Sequence, residues 1–206
     1  VKKLLLDGTF YHLWYFPGVI LGVLVARGLL RLGPRTALAA AGILYLVGLG
    51  GDSYYGLACR LPALEALYGG ILQIFGYRRN GLFFTPLFLL LGAAGVRWNV
   101  RTSAAGLCAA FAAMTAEGLW LHGLQVQRHD SMYVLLPLVM VCLFSLLLGL
   151  NRGERRSCRK LSSLIYVLHP WCIVLVRGSA EVLGLEGPLV ENSMGHFLAV
   201  LASSAA

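Results

Sequence analysis

The chain has 206 residues, of which 58% are hydrophobic and 13% charged, with a formal net charge of +8. A charge density about half that of a typical soluble domain and a mean hydropathy of +0.75 argue against an ordinary water-soluble globule, and the length suits one domain over residues 1–206. The basic residues sit in short segments between apolar runs, where membrane topology accounts for them, so nucleic acid is not expected as a partner.

The fold class predicted is all-α, a polytopic transmembrane bundle of about six or seven helices, because a bilayer core needs roughly 17–25 mostly apolar residues per span. The chain opens Val-Lys-Lys, and its first apolar run extends from Gly8 to Ala26, with Trp14 and Tyr15 suited to the membrane–water interface. That run is too long for a typical signal-peptide core, and no small-residue cleavage site follows it. The second run is Thr36 to Gly51, ended by Asp52. Leu61, Leu64, Leu67, Tyr68, Ile71, Leu72 and Phe75 then recur at helical spacing, interrupted by Pro62, Glu65 and Gln73, which predicts an amphipathic helix at the membrane surface rather than a full span. Further runs cover Asn80 to Val96, Thr102 to Leu121 with Glu117 inside it, the uncharged stretch Ser131 to Leu150, Leu161 to Val176, and a last one from about Leu189. The first residue is Val and the last apolar run stops at Ala206, so the chain is expected to be a portion of something longer.

Alternate loops differ in charge. Arg27, Arg31 and Arg35, then Arg97 and Arg101, then Arg152, Arg155, Arg156, Arg159 and Lys160 fall on one side with a single acid, Glu154. The other loops mix Lys2, Lys3, Arg60, Arg78, Arg79, Arg128 and Arg177 with most of the acids. The positive-inside rule puts the first set in the cytoplasm and the loops at Asp52–Asn80 and His129–Asp130 outside.

Ionisable groups within spans are costly and are candidates for function. Glu117 suits a proton carrier or an ammonium ligand; the plainer alternative is a carboxylate reaching the outer interface or capped by a neighbouring helix. His169, in Tyr166-Val-Leu-His169-Pro170, sits where proline frees backbone carbonyls, and it suits either a proton-transfer role or the repair of that broken ladder. The outer loops Gly50–Tyr55 (with Asp52), Arg78–Gly81 (with Arg79 and Asn80) and Gln127–Tyr133 (with Arg128, His129 and Asp130), with His12 and Trp14 at the same level, bring carboxylates, a histidine, arginines and aromatics that suit one outward-facing polar pocket. An arginine there matches a carboxylate and an aspartate matches an ammonium. Capping is the competing use, since Asp52, Asn80, Asp130 and Ser131 are all good N-cap residues. The five cysteines are scattered without a CxxC pair or metal-ligand spacing, so no metal is expected.

Five strings at these polar positions resemble a known family: Tyr11-His-Leu-Trp-Tyr-Phe-Pro17, Gly48-Leu-Gly-Gly-Asp-Ser53, Arg79-Asn-Gly-Leu-Phe-Phe-Thr-Pro-Leu-Phe88, His129-Asp-Ser-Met-Tyr133 and Tyr166-Val-Leu-His-Pro170. Together they resemble the membrane half of the vancomycin-resistance serine racemases, a branch of the acyltransferase 3 family of bacterial inner-membrane proteins. The resemblance implies a multi-pass domain in the bacterial cytoplasmic membrane, packed against further helices of its parent chain. It implies that L-serine is bound or passed by Asp52, Arg79, Asn80, His129, Asp130 and His169. Arg79 would meet the serine carboxylate, and Asp52 or Asp130 its ammonium. The wider family implies an alternative, O-acyl transfer from acyl-coenzyme A onto an envelope glycan, with the donor near Arg152–Lys160. That family's catalytic histidine lies on a first helix with no counterpart here, so no catalytic residue is assigned, and no cofactor is expected in this chain.

Overall fold

A computed structural model describes residues 15–74, 80–150, 171–185 and 187–205. His12, Trp14, Arg78, Arg79, the basic cluster Arg152–Lys160 and His169 lie outside the described residues. The described residues are mainly helical, with no strand among them, and fall into two compact units, one up to residue 150 and one from residue 171.

In the first unit, α1 (Tyr15–Leu30) leads through a turn at Gly33 to α2 (Pro34–Gly50). Gly33 takes φ 95, a left-handed setting that glycine adopts without strain, and Pro34 suits the first helical position because its missing N–H has no partner there anyway. A short helix, α3 (Tyr55–Ala58), and the surface helix α4 (Pro62–Ile74) follow. Then come α5 (Thr85–Ala94), α6 (Val100–Gly123) and α7 (Leu136–Gly149). Helix α1 packs on α2 and α5, α2 on α5, α5 on α7, and α6 on α7. In the second unit a helical stretch over 171–183 (α8) precedes a π-turn at Gly187–Glu191 that packs on α9 (Ser193–Ala205).

The helix positions follow the predicted runs, but most helices are shorter. Among the described residues, only α6, with 24 residues, is long and apolar enough to cross a membrane by itself. Two local causes shorten its neighbours. The Asn80 side chain accepts from Leu82 N and Phe83 N at 2.9 and 3.0 Å, which holds residues 80–84 as a turn and delays α5 to Thr85. Residues 131–135 are likewise held in a turn by carboxylates from elsewhere in the chain, so α7 starts at Leu136 rather than Ser131.

Close helix crossings rest on small residues. A Cβ on Gly22 of α1 would fall 2.5 Å from Thr85 Cγ2, and one on Gly81 would fall 2.6 Å from the Gly18 carbonyl oxygen. Gly18-Val-Ile-Leu-Gly22 thus gives α1 the small-xxx-small face that lets backbones approach. Ala26, Ala37 and Ala41 are buried in the same core. Many large apolar side chains point outward instead: Ile20 and Leu24 on α1, Ile43 and Leu46 on α2, Phe111 (56% exposed) and Leu119 (70%) on α6, Leu147 on α7. The core itself mixes these small residues with Tyr45, Leu49, Leu87, Leu90 and Met132, so large apolar side chains stand on both sides of the helices.

Candidate functional site

Three of the polar strings meet at one end of the first unit. Gly48, in the last turn of α2, marks the junction: a Cβ there would lie 2.9 Å from both Met132 Cε and Phe83 Cβ. Glycine is required because the 80–84 turn and the 131–135 turn press on the same face of α2.

Asp52 lies one turn beyond Gly48 and is 1% exposed. Its Oδ1 accepts from Ser131 N at 3.1 Å, and its carbonyl accepts from Arg128 N at 3.2 Å. Ser53 Oγ is 3.3 Å from Asp52 Oδ1 and 3.1 Å from the His129 carbonyl, and its one proton serves either. Gly56 N donates to the Val126 carbonyl at 2.8 Å. The α2–α3 turn therefore fixes the whole loop from Val126 to Ser131, and the Asp52 carboxyl is the peg of that attachment.

Glu117 does the same for the start of α7. Its Oε1 accepts from the Tyr54 hydroxyl and from Val134 N, both at 2.7 Å, and its Oε2 accepts from Leu135 N at 3.2 Å. The carboxylate thus satisfies free N–H groups ahead of α7, where a negative charge also opposes the positive end of the helix dipole. Of the two uses open to Glu117, the geometry matches helix capping. Tyr45 OH completes the brace by donating to the Tyr133 carbonyl at 2.7 Å. Burial, then hydrogen bonding to the Glu117 acceptor, pushes the Tyr54 phenol above its usual range. Burial and then the charge of Asp130 push up that of Tyr133.

On this braced frame the loop after α6 opens a polar cleft of about 230 Å³, lined by His122, Gln125, Gln127, Arg128, His129 and Asp130. Gln125 turns the chain with φ 54, and its Nε2 donates to the His122 carbonyl at 3.3 Å. The Arg128 guanidinium sits 5.8 Å from the Tyr55 ring centre, a cation–π distance that holds it at the rim. One cation, one carboxylate, two imidazoles and two amides can meet both ends of a small zwitterion. Among the described residues, no group of three or more His, Cys, Asp or Glu is arranged to hold a metal ion.

Of the site residues expected from the sequence, His129 and Asp130 line the cleft, Asp52 stands behind it as an anchor, and Asn80 is buried with its side chain on its own turn. Arg79 and His169 lie outside the described residues. Sequence reasoning missed His122 and Gln125 as cleft residues. The signal for them was the polar run His122-Gly-Leu-Gln-Val-Gln-Arg-His-Asp130 directly after the apolar face of α6.

The chain is 39% identical over 211 residues to a protein named amino-acid racemase from Enterococcus faecalis, an alignment covering 99% of this chain and 30% of that protein. It is 35% identical over 207 residues to a serine/alanine racemase from Enterococcus gallinarum, covering 98% of this chain and 29% of the relative. The chain thus spans about 30% of the length of the curated relatives it matches. No family profile matches it, and no solved structure is similar to it.

Proposed function

We propose that this chain acts as a membrane-embedded region of a racemase-type protein, and that its polar cleft binds or passes L-serine. The carrying observation is the cleft itself, whose lining brings together Arg128, Asp130, His122, His129 and the amides of Gln125 and Gln127. Its volume falls below the roughly 300–1,000 Å³ of sites for drug-sized ligands, which suits a solute of a few heavy atoms. Opposite charges meet the two ends of a free amino acid: guanidinium to carboxylate, carboxylate to ammonium. Similarity along nearly the whole chain to proteins named amino-acid racemase and serine/alanine racemase supplies the ligand class.

The bilayer belongs to the same proposal. It is supported by the 24-residue apolar helix α6, by the large apolar side chains exposed around α1, α2, α6 and α7, and by the Gly18–Gly22 crossing. The location that follows is a multi-pass protein of the bacterial cytoplasmic membrane, with Arg27, Arg31, Arg35, Arg97 and Arg101 inside and the cleft outside.

Saturable binding of labelled L-serine to the detergent-purified protein tests the proposal. Arg128→Gln and Asp130→Asn should each weaken binding about tenfold or more, the worth of one hydrogen bond to a charged group, with helical content unchanged. A well-folded protein that shows no saturable serine binding would remove the ligand assignment.

A further inference from the structure

Between α5 and α7 the first unit carries a second feature of different character. Phe88, Leu91 and Gly92 of α5, Val96 beyond it, and Met140, Val141 and Phe144 of α7 line a groove of about 150 Å³ with no charged or hydrogen-bonding side chain. Met140 and Phe144 are themselves exposed, so the groove is continuous with the outward apolar surface of α7. One end runs into the exposed segment Val96-Arg97-Trp98-Asn99-Val100-Arg101. That segment is pinned beside the groove wall: Trp98 N donates to Ser145 Oγ at 2.7 Å, and Ser145 is the neighbour of Phe144. Ser103 Oγ meets the same hydroxyl at 3.1 Å, so the start of α6 is fixed to the same point. An apolar slot thus borders, through Val96, an exposed segment that carries Arg97, Trp98 and Arg101.

We infer that this groove seats an acyl chain of an anionic phospholipid whose phosphate is held by Arg97 and Arg101. The inference rests on the membrane placement proposed above. Charge complementarity selects the occupant. A slot without charged or hydrogen-bonding side chains takes hydrocarbon, and two exposed arginines in the segment that continues from Val96 suit a phosphate-bearing headgroup, which arginine pairs with bidentately. Trp98 marks the headgroup level, where indole rings concentrate. Residues 100–123 of α6 span roughly 35 Å at 1.5 Å per residue, so the headgroup end of this lipid, beside Arg97 and Arg101, lies about a bilayer's thickness from the cleft.

Gly92 offers a clean block. A Cβ there meets nothing within 4 Å, so Gly92→Leu enters the groove without a backbone clash and exchanges glycine for a better helix former. The experiment reconstitutes the protein in vesicles of phosphatidylcholine and phosphatidylglycerol with identical acyl chains. It then washes the recovered protein in mild detergent and weighs the retained lipid by mass spectrometry. The wild type should retain phosphatidylglycerol preferentially, each arginine adding on the order of fivefold. Arg97→Gln with Arg101→Gln should bring the two lipids level. Gly92→Leu should lower retention of both lipids while the protein stays folded. Stable insertion with equal retention of the two lipids by the wild type overturns the inference alone, and so does unchanged retention in Gly92→Leu, the result expected if another protein segment fills the groove. Protein that washes off the vesicles overturns both this inference and the membrane placement.

Discussion

Replacing Glu117 with alanine should destabilise the first unit rather than disable a proton path. The carboxylate accepts three hydrogen bonds, from Tyr54 OH, Val134 N and Leu135 N, and so joins α6 to the α2–α3 turn and to the start of α7. Hydrogen bonds to a charged group contribute about 1.5–3 kcal/mol when well buried. Glu117 is half-buried, so about 1 kcal/mol for each bond, or about 3 kcal/mol in all, is a fair expectation. At roughly 2–4 °C per kcal/mol for a chain of this size, Glu117→Ala should lower Tm by about 6–12 °C. Glu117→Gln keeps one acceptor oxygen, for Tyr54 OH and Val134 N, but loses the bond from Leu135 N and the charge at the α7 N-terminus, a loss of about 2 kcal/mol. Tyr54→Phe removes one bond only and should cost about 1 kcal/mol, less than Glu117→Gln. The assay is thermal unfolding in detergent, followed by circular dichroism, with serine binding measured alongside. The capping account fails if Glu117→Ala melts like the wild type, or if Glu117→Gln proves as damaging as Glu117→Ala.

Other consequences follow from the same contacts. Gly48→Ala should lose about 1–3 kcal/mol through overpacking, because its new methyl meets Met132 and Phe83 together. Gly28→Ala, with nothing within 4 Å, should be neutral or mildly stabilising; comparing the two melting curves checks the three-way junction. Asp52→Ala should free the 126–131 loop, seen as faster proteolysis there, while Asp130→Asn leaves the cleavage rate unchanged and acts on binding alone. A phenol whose pKa is raised by folding contributes stability that is fully present below the unfolded value near 10 and is lost as pH rises through the higher folded value. Alkaline titration of the first unit should therefore show late ionisation of Tyr54, and its melting temperature should begin to fall only above about pH 10. Tyr54→Phe should flatten part of that fall.

Local chemistry makes much of the molecule legible in the amino-acid sequence itself. Apolar runs locate α2, α6 and α7 to within a few residues, and the interrupted pattern at 61–77 foretells the separate helix α4. Asn80 is readable as a capping residue because its partners, Leu82 and Phe83, are its immediate neighbours. The polar strings around Asp52 and His129 are visible as candidates, and two of their members do approach each other across the fold.

What the sequence alone does not decide is the use of each polar side chain, because the deciding partners are distant in the chain. Tyr54 and Glu117 are separated by 63 positions, and Ser131 and Asp52 by 79. Periodicity and capping preferences act over one or two turns and carry no information across such distances. Only the packing of α2 against the 131–135 turn buries Asp52 as an anchor and leaves Asp130 in the cleft, although both are aspartates at the end of an apolar run. Only the return of α7 beside α6 turns Glu117 from a buried charge in need of explanation into a cap for free N–H groups. A carboxylate's role is set by which donors desolvate with it, and tertiary structure chooses those donors.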